Sequence, residues 1–180
     1  MGEEAALRIR RANPKEYEKV RDFYYLLIDA MEGAAFSPGW ERDVYPTQEF
    51  LRSSLEKGEL YVGEVDGQMA ASMVVNHAYN EGYREAAWSF NAADSELLVV
   101  HALGVHPQFS RRGIAGRMAR HVIAMAAQNG IKTVRLDVLE GNLPAEKAYT
   151  KVGFRYVETA RMFYEDTGWT NYKLYEYIVL

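Results

Sequence analysis

Hydrophobic residues recur along this chain with two spacings, about two residues and about 3.6 residues, which predict strands and helices respectively. Alternating or unbroken apolar runs predict strands over 7–11, 60–65, 69–78, 97–105, 133–139, 154–163 and 171–179. Helical spacing predicts helices over 14–31, 47–56, 112–129 and, from Asn142 or Leu143, to Val152. Asn13-Pro14 is typical of a helix start, Asp66-Gly67 of a two-residue hairpin, and Gly130 and Gly153 of helix ends.

The order of these elements, β-α-α-β-β-β-α-β-α-β-β, indicates the fold class. It predicts an α/β (α+β) domain with a mixed, mainly antiparallel sheet of about seven strands flanked by helices. No linker divides the chain of 180 residues, so a single domain over 1–180 is expected.

The segment from Val105 to Gly116 joins an apolar strand to an amphipathic helix and carries candidate chemistry. The first turn of a helix has unpaired N–H groups and a partial positive charge, so it favours an anion. Glycines allow close backbone approach, and Arg111 and Arg112 add positive charge. These features predict a diphosphate cradle, although neither a Walker A motif nor Gly-x-Gly-x-x-Gly occurs here. An ordinary helix start that contains glycine is the alternative.

A second segment, Asn142-Leu-Pro-Ala-Glu-Lys-Ala-Tyr-Thr-Lys-Val-Gly-Phe154, follows a predicted strand. Together the two segments resemble the GNAT superfamily of acyl-CoA-dependent N-acyltransferases, and the resemblance covers nearly the whole chain. The first matches the family pattern Gln/Arg-x-x-Gly-x-Gly/Ala except that Ser110 replaces its first residue. The cradle residues implied are Ser110, Arg111, Arg112, Gly113, Ile114, Ala115 and Gly116.

The resemblance also implies a fold in which the sheet is splayed at the cofactor site. It assigns the splay to Leu103, Gly104 and Val105, where backbone groups would pair with the pantetheine arm of acetyl-CoA. Gly104 suits a bulge or a close approach by a ligand. A buried strand with a packing glycine is the alternative.

The second motif implies that Asn142 contacts the cofactor arm and that Tyr149 lies near the thioester sulfur. Helical spacing puts Asn142, Ala145 and Tyr149 on one face, so one helix lines the cofactor. Asn142 is also a candidate N-cap, and Tyr149 is alternatively a core tyrosine.

Acyl transfer to an amine requires a proton for the departing thiolate and a group that accepts the proton of the amine. Tyr149 is the candidate acid. The candidate bases are His101, Glu96 or a chain of water molecules. No histidine spacing suggests a metal site, so no metal is expected.

Acceptor specificity is expected to come from three segments rich in aromatic residues, spanning 32–46, 79–95 and 164–169. In the third, Glu165 and Asp166 are candidates to hold an ammonium group, and a solvated hairpin turn is the alternative.

Composition narrows the partners and the location. The net charge of −4 argues against nucleic acid, and no apolar run is long enough to span a membrane. The absence of cysteine and of an apolar targeting segment favours a cytoplasmic protein, either a monomer or a homodimer.

The sequence therefore predicts an N-acetyltransferase that transfers an acetyl group from acetyl-CoA to a primary amine of a small molecule. A peptide or protein amino terminus, or a lysine, is the alternative acceptor. A sensor module that binds acyl-CoA without turnover is the alternative from another class.

Overall fold

The computed structural model of the chain describes residues 6–179 and contains one sheet of seven strands. The strands are β1 (Arg8–Arg11), β2 (Leu60–Val65), β3 (Gln68–Asn76), β4 (Leu97–Val105), β5 (Thr133–Leu139), β6 (Arg155–Tyr164) and β7 (Gly168–Ile178). The α-helices of the described residues are α1 (Tyr17–Met31), α2 (Gln48–Glu56), α3 (Ile114–Gln128) and α4 (Leu143–Val152). The predicted fold class and element order are confirmed.

The strands lie in the order β1-β2-β3-β4-β5-β7-β6. Neighbours are antiparallel except for β4 and β5, which are parallel. That parallel pair is hydrogen-bonded only from Leu97, opposite Thr133, to Val99, opposite Arg135. The sheet is thus mixed and mainly antiparallel, and its two central strands separate early.

Each face of the sheet is covered by its own helices. Apolar side chains of α1 and α2 pack on one face, and those of α3 and α4 pack on the other. A third apolar cluster lies beside the β6–β7 hairpin and includes Tyr83 from the loop that precedes β4. The two sides of β4 and β5 therefore face different surroundings.

Local backbone chemistry explains where the predicted bounds shift. The Asn13 side chain and the Glu16 carboxylate cap a short 3₁₀ turn, Pro14–Glu16, and α1 begins only after it. Helix α3 begins at Ile114 rather than 112 because Arg111 and Gly113 have positive φ angles of 63° and 70°. Gly168, with φ of 64°, shortens the expected loop at 164–169 to a tight turn between β6 and β7.

The sequence predicts neither an apolar targeting segment nor a membrane-spanning helix. The charged N-terminal segment lies partly outside the described residues. Within 6–179, no helix combines the length and apolar character required to cross a bilayer.

Candidate functional site

The separation of β4 from β5 opens a cleft in the middle of the sheet. Beyond Val99, β4 keeps its antiparallel partner β3 on one side but has no described strand partner on the β5 side. Free backbone N–H and C=O groups need partners. The cleft is therefore suited to an extended ligand that carries amide groups.

A one-residue bulge reshapes β4 at this cleft. His101 lies opposite Val74 and Gly104 lies opposite Ser72, so three residues of β4 span two residues of β3. Ala102 is the extra residue and has a φ of 50°, which is unusual for a residue with a side chain. The bulge is thus at Ala102 rather than at Gly104, where glycine suggested it.

Buried contacts from α1 hold this bulge. The Tyr24 hydroxyl donates to the Ala102 carbonyl oxygen at 2.7 Å and lies 3.1 Å from Ser72 Oγ. A β-carbon at Gly104 would collide with Leu27 and come within 3.1 Å of a Trp40 ring atom. Gly104 therefore permits close packing of α1 and the Trp40 segment against the sheet.

The bulge also decides which way His101 faces. Leu103 and Val105 pack on the α3 face, whereas His101 shares the face of Val74, which packs against α1 and α2. His101 Nε2 lies 2.8 Å from the Asn76 side-chain oxygen. Burial lowers the pKa of His101 to about 4. The imidazole is consequently neutral and weakly basic at neutral pH.

The predicted phosphate loop, Ser110–Gly116, runs from the end of a 3₁₀ turn into α3. Ser110, Arg111, Arg112 and Gly113 are exposed, and no side chain of the described residues caps the first turn of α3. Within the helix, N–H groups of the first turn have no backbone partner. The β-carbon of a substituted Gly113 would meet no atom within 4 Å. The loop is an open, positively charged helix start.

Helix α4 lines the cleft with the three residues that its spacing places on one face. Asn142, Ala145 and Tyr149 all border one cavity of about 90 Å³ that also includes Leu103. Asn142 occupies the N-cap position, but its side chain makes no capping hydrogen bond. Its amide is free to contact a ligand.

Tyr149 is buried, with 8% of its surface exposed. Its hydroxyl has no hydrogen-bond partner among residues 6–179, and its side chain borders the cavity. Burial, and then the charge of Asp137, raise the pKa of Tyr149 above its ordinary value. The phenol is therefore protonated at neutral pH and can donate to a group in the cavity.

Asp137, on β5, is a cavity residue that the sequence analysis missed. Its Oδ2 accepts hydrogen bonds from the hydroxyls of Tyr83 and Tyr164, both at 2.7 Å. Burial raises the pKa of Asp137, and the two hydroxyls oppose that shift. The carboxyl is therefore a stronger proton acceptor than an ordinary aspartate. A charged residue within the apolar strand at 133–139 was the available signal.

Aromatic side chains and a second carboxyl group form the outer part of the cavity. Trp40 and Tyr45 come from the segment before α2, and Tyr164, Asp166 and Tyr172 come from the β6–β7 hairpin. Burial raises the pKa of Asp166, although the N–H of Thr167 donates to its Oδ1 at 3.0 Å. No lysine or arginine lines this cavity among the described residues.

Glu96 lies apart from the cavity. Its carboxylate accepts from the N–H of Ala93 in a 3₁₀ turn at the start of β4, and its backbone oxygen accepts from Lys132. At roughly 3.3 Å per residue, five strand positions separate Glu96 from His101 by about 16 Å. The structure brings His101 and Tyr149 to one cavity but leaves Glu96 outside it.

Residues of the second aromatic segment, 79–95, line a neighbouring cavity of about 300 Å³. Tyr83 and Trp88 border it together with Arg135 of β5. The guanidinium lies over the Trp88 ring, 4.2 Å from its centre, and donates to the Phe90 carbonyl oxygen at 2.6 Å. Tyr83 connects the two cavities through its hydrogen bond to Asp137. This segment thus supports the wall of the first cavity.

Metal ligation finds no support in the described part of the chain. No group of three or more His, Asp or Glu side chains between 6 and 179 is arranged to hold an ion. The cavity offers proton-transfer groups and aromatic faces instead.

Comparisons with known proteins identify the family of the chain. The model of the acetyltransferase (GNAT) family matches residues 21–154. A search of curated proteins finds no match.

Solved structures share the fold at low sequence identity. A GNAT-family acetyltransferase from Streptococcus agalactiae is 22% identical, with a TM-score of 0.78 over 96% of this chain and 95% of that one. The ribosomal-protein-S18-alanine N-acetyltransferase from Escherichia coli is 17% identical, with a TM-score of 0.67 over 97% and 94%. The yncA protein from Salmonella typhimurium, solved with its cofactor acetyl-CoA, is 14% identical, with a TM-score of 0.70 over 98% and 95%.

Proposed function

Because the chain belongs to the acetyltransferase (GNAT) family, we propose that it transfers an acetyl group from acetyl-CoA to a primary amine of a small molecule. The observation that carries this proposal is a single cavity shared by the cleft between β4 and β5, the exposed face of α4 and an acidic, aromatic outer part. The small volume, about 90 Å³, favours a small acceptor over a folded protein surface.

The cofactor is assigned to the cleft and the open start of α3. The diphosphate lies against the loop from Ser110 to Gly116, where N–H groups and two arginines favour anions. The pantetheine arm follows the free edge of β4 near Leu103, beside Asn142 and Ala145. This orientation brings the thioester toward Tyr149.

Tyr149 is proposed as the general acid. The amine nitrogen forms a bond to the thioester carbonyl carbon, and the tetrahedral intermediate then collapses with cleavage of the carbon–sulfur bond. The thiolate takes the Tyr149 proton, and the resulting phenolate recovers a proton through water. A buried phenol beside a carboxylate does not ionise before that step, because its pKa is raised.

Asp137 is proposed as the group that accepts the amine proton. An ammonium group must lose one proton before its nitrogen can attack, and the nitrogen loses a second when the amide forms. Asp137 borders the same cavity as Tyr149 and has a raised pKa, so it suits the acceptance of protons one at a time. His101 remains an alternative base, weakened by its lowered pKa.

Thiol release from acetyl-CoA, measured against amines, amino acids and peptides, tests the proposed activity. Release with a small primary amine is expected, and release with peptides alone would move the acceptor to a protein amino terminus. Tyr149→Phe should lower turnover by roughly 10²-fold while leaving CoA affinity intact. A domain that binds acyl-CoA only as a sensor would give no release with any acceptor.

A matched pair of variants at Gly113 tests the cradle. Asn and Asp have nearly the same size and both tolerate a positive φ, but only Asp adds negative charge beside the diphosphate. Calorimetry should show weaker CoA binding for Gly113→Asp than for Gly113→Asn. Equal affinities in the two folded variants would remove the diphosphate from this loop.

A further inference from the structure

The cavity contains two carboxyl groups at different positions. Asp137 comes from the middle of β5, and Asp166 comes from the turn between β6 and β7. Neither belongs to an ion pair among the described residues, and no arginine or lysine lines the space between them. Buried carboxylates are normally paired with a cation or fully hydrogen-bonded. The cavity therefore lacks positive charge of its own.

The two carboxyl groups are electrostatic neighbours. Burial is the main cause of the raised pKa values of Asp166, Tyr45 and Tyr172. The charge of Asp137 adds to the rise at Asp166, and the charges of Asp137 and Asp166 add to it at both tyrosines. Their side chains thus act on the same two hydroxyls. A cation placed among these groups interacts with both carboxylates and with the aromatic faces.

The two carboxyl groups nevertheless mark different ends of the cavity. The Asp137 charge acts on the Tyr149 hydroxyl, at the end where the thioester is assigned. Asp166 precedes Thr167, whose side chain lies against Gly39, and it is influenced by the charge of Glu41. Asp166 therefore lies toward the segment before α2, at the outer end.

A further observation indicates that a ligand occupies the inner end. Tyr149 is more than nine-tenths buried, and its hydroxyl reaches no partner among residues 6–179. The hydroxyl borders the cavity, where a ligand can complete its hydrogen bonding. The carboxyl groups of Asp137 and Asp166, the aromatic faces and the Tyr149 hydroxyl together line one ligand site.

We propose that the acceptor is a diamine, whose reacting nitrogen lies between Asp137 and Tyr149 while its second ammonium group lies at Asp166 among the rings of Trp40, Tyr45 and Tyr172. This assignment rests on the proposed acetyltransferase activity. Two carboxylates match two ammonium groups, and the aliphatic chain between them lies along the aromatic side chains. An amino acid places a carboxylate where Asp166 repels it.

Acceptors that share the reacting amine but differ at the far end test this assignment. Linear diamines of three to five carbons are compared with the monoamine and the ω-amino acid of the same length, by thiol release from acetyl-CoA. For at least one length, kcat/KM for the diamine should exceed that of the monoamine by about 10- to 100-fold, the effect of one charged hydrogen bond. The amino acid should be the poorest acceptor.

Asp166→Asn removes the charge while keeping an oxygen to accept from the Thr167 N–H. In this variant the ratio of kcat/KM for the diamine to kcat/KM for the monoamine should fall to about one. Glu165→Gln is the matched control, because Glu165 is exposed on the same turn and does not line the cavity. It should preserve the wild-type preference.

The outcomes separate the two levels of the proposal. If primary amines are acetylated but no diamine exceeds its monoamine, the diamine assignment is wrong and the acetyltransferase proposal stands. If Asp166→Asn and Glu165→Gln reduce the preference equally, Asp166 does not bind the second ammonium group. If no amine of any class releases thiol, the proposed function itself fails.

Discussion

Arg135 and Asp137 lie two residues apart on β5 and point to the same side of the sheet, yet their charged groups have different kinds of partner. Arg135 lies opposite Glu176 on β7, stacks on Trp88 and donates to the Phe90 carbonyl oxygen. Asp137 accepts from two tyrosine hydroxyls and has no cationic partner among the described residues. Arg135 therefore has a carboxylate as its cross-strand neighbour, whereas Asp137 has only neutral hydroxyl partners and is available to a ligand.

The pKa directions reflect this difference. Burial lowers the pKa of Arg135, and the charge of Glu176 acts in the opposite sense. Burial raises the pKa of Asp137, and only neutral hydroxyls oppose it. We interpret Arg135 as part of the scaffold and Asp137 as part of the reaction site.

The largest expected effect is on stability, at Arg135. Arg135→Met removes the stacking on Trp88 and leaves the Phe90 carbonyl oxygen without its charged donor, which should lower the free energy of unfolding by about 3–5 kcal/mol. Urea denaturation at neutral pH measures the change. Adding Glu176→Gln should recover part of the loss, because it removes a buried charge that no longer has a positive charge nearby and keeps an oxygen to accept from the Ser89 N–H. A single variant as stable as wild type would remove the structural role.

Asp137→Asn should show the opposite behaviour, with lost activity and retained stability. Without the proton acceptor, turnover should fall by roughly 10²-fold. The folded-state pKa of Asp137 is raised, so the folded protein binds this proton more tightly than the unfolded chain. The wild-type carboxyl therefore costs stability above its folded pKa, and that cost disappears below the unfolded value of about 3.9.

Asp137→Asn should consequently be as stable as wild type or more stable at neutral pH, and should lose this advantage near pH 3. Thermal unfolding at both pH values, with thiol release on the same preparations, distinguishes the cases. Unchanged turnover would assign the amine proton to His101 or to water.

Tyr83 offers a smaller and more selective change, because it touches Asp137 from the neighbouring cavity. Tyr83→Phe removes a hydroxyl that lowers the pKa of Asp137, so that pKa should rise further. The acidic limb of the kcat/KM profile should move to higher pH by the same amount. Tyr79→Phe is the control, since Tyr79 stacks on Tyr83 but donates to Asp94. If the acidic limb moves equally in both variants, it does not report the titration of Asp137.

The last effect is confined to acidic pH, where burial of His101 lowers the stability of the fold. Its folded-state pKa of about 4 is below the ordinary histidine value, so the unfolded chain binds the proton first as the pH falls. Stability is therefore lost from about pH 6.5 down toward 4. His101→Gln should lose less over this range in urea denaturation. Parallel curves would mean that His101 titrates normally in the fold.

The sequence predicted the scaffold more completely than the site. Strands β4 and β5 were predicted at their observed bounds because β4 is a largely apolar run and β5 alternates apolar with polar residues. The bulge at Ala102 was not predicted, since one extra residue leaves such a run unchanged. It depends on the long-range hydrogen bond from Tyr24, 78 positions earlier in the chain.

The residues of the site differ in how far the sequence could predict them. Ser110–Gly116, Leu103, Asn142 and Tyr149 were predicted from local motifs, and the structure puts them along one cleft and loop. Asp137 carries no motif, and its proximity to Tyr83 and Tyr164 requires contacts across 54 and 27 positions. The sequence also could not show that His101 is a weak base, because the burial that lowers its pKa depends on tertiary packing.

The absence of basic side chains from the described cavity lining has a consequence for product release. Acetylation converts an ammonium group into a neutral amide, so the product loses its attraction to Asp137 at the moment it forms. A diamine that carries one acetyl group retains a single positive charge and cannot satisfy both carboxylates in a second binding event. For the proposed diamine acceptor, we expect this charge count to favour departure after one transfer, and hence monoacetylation.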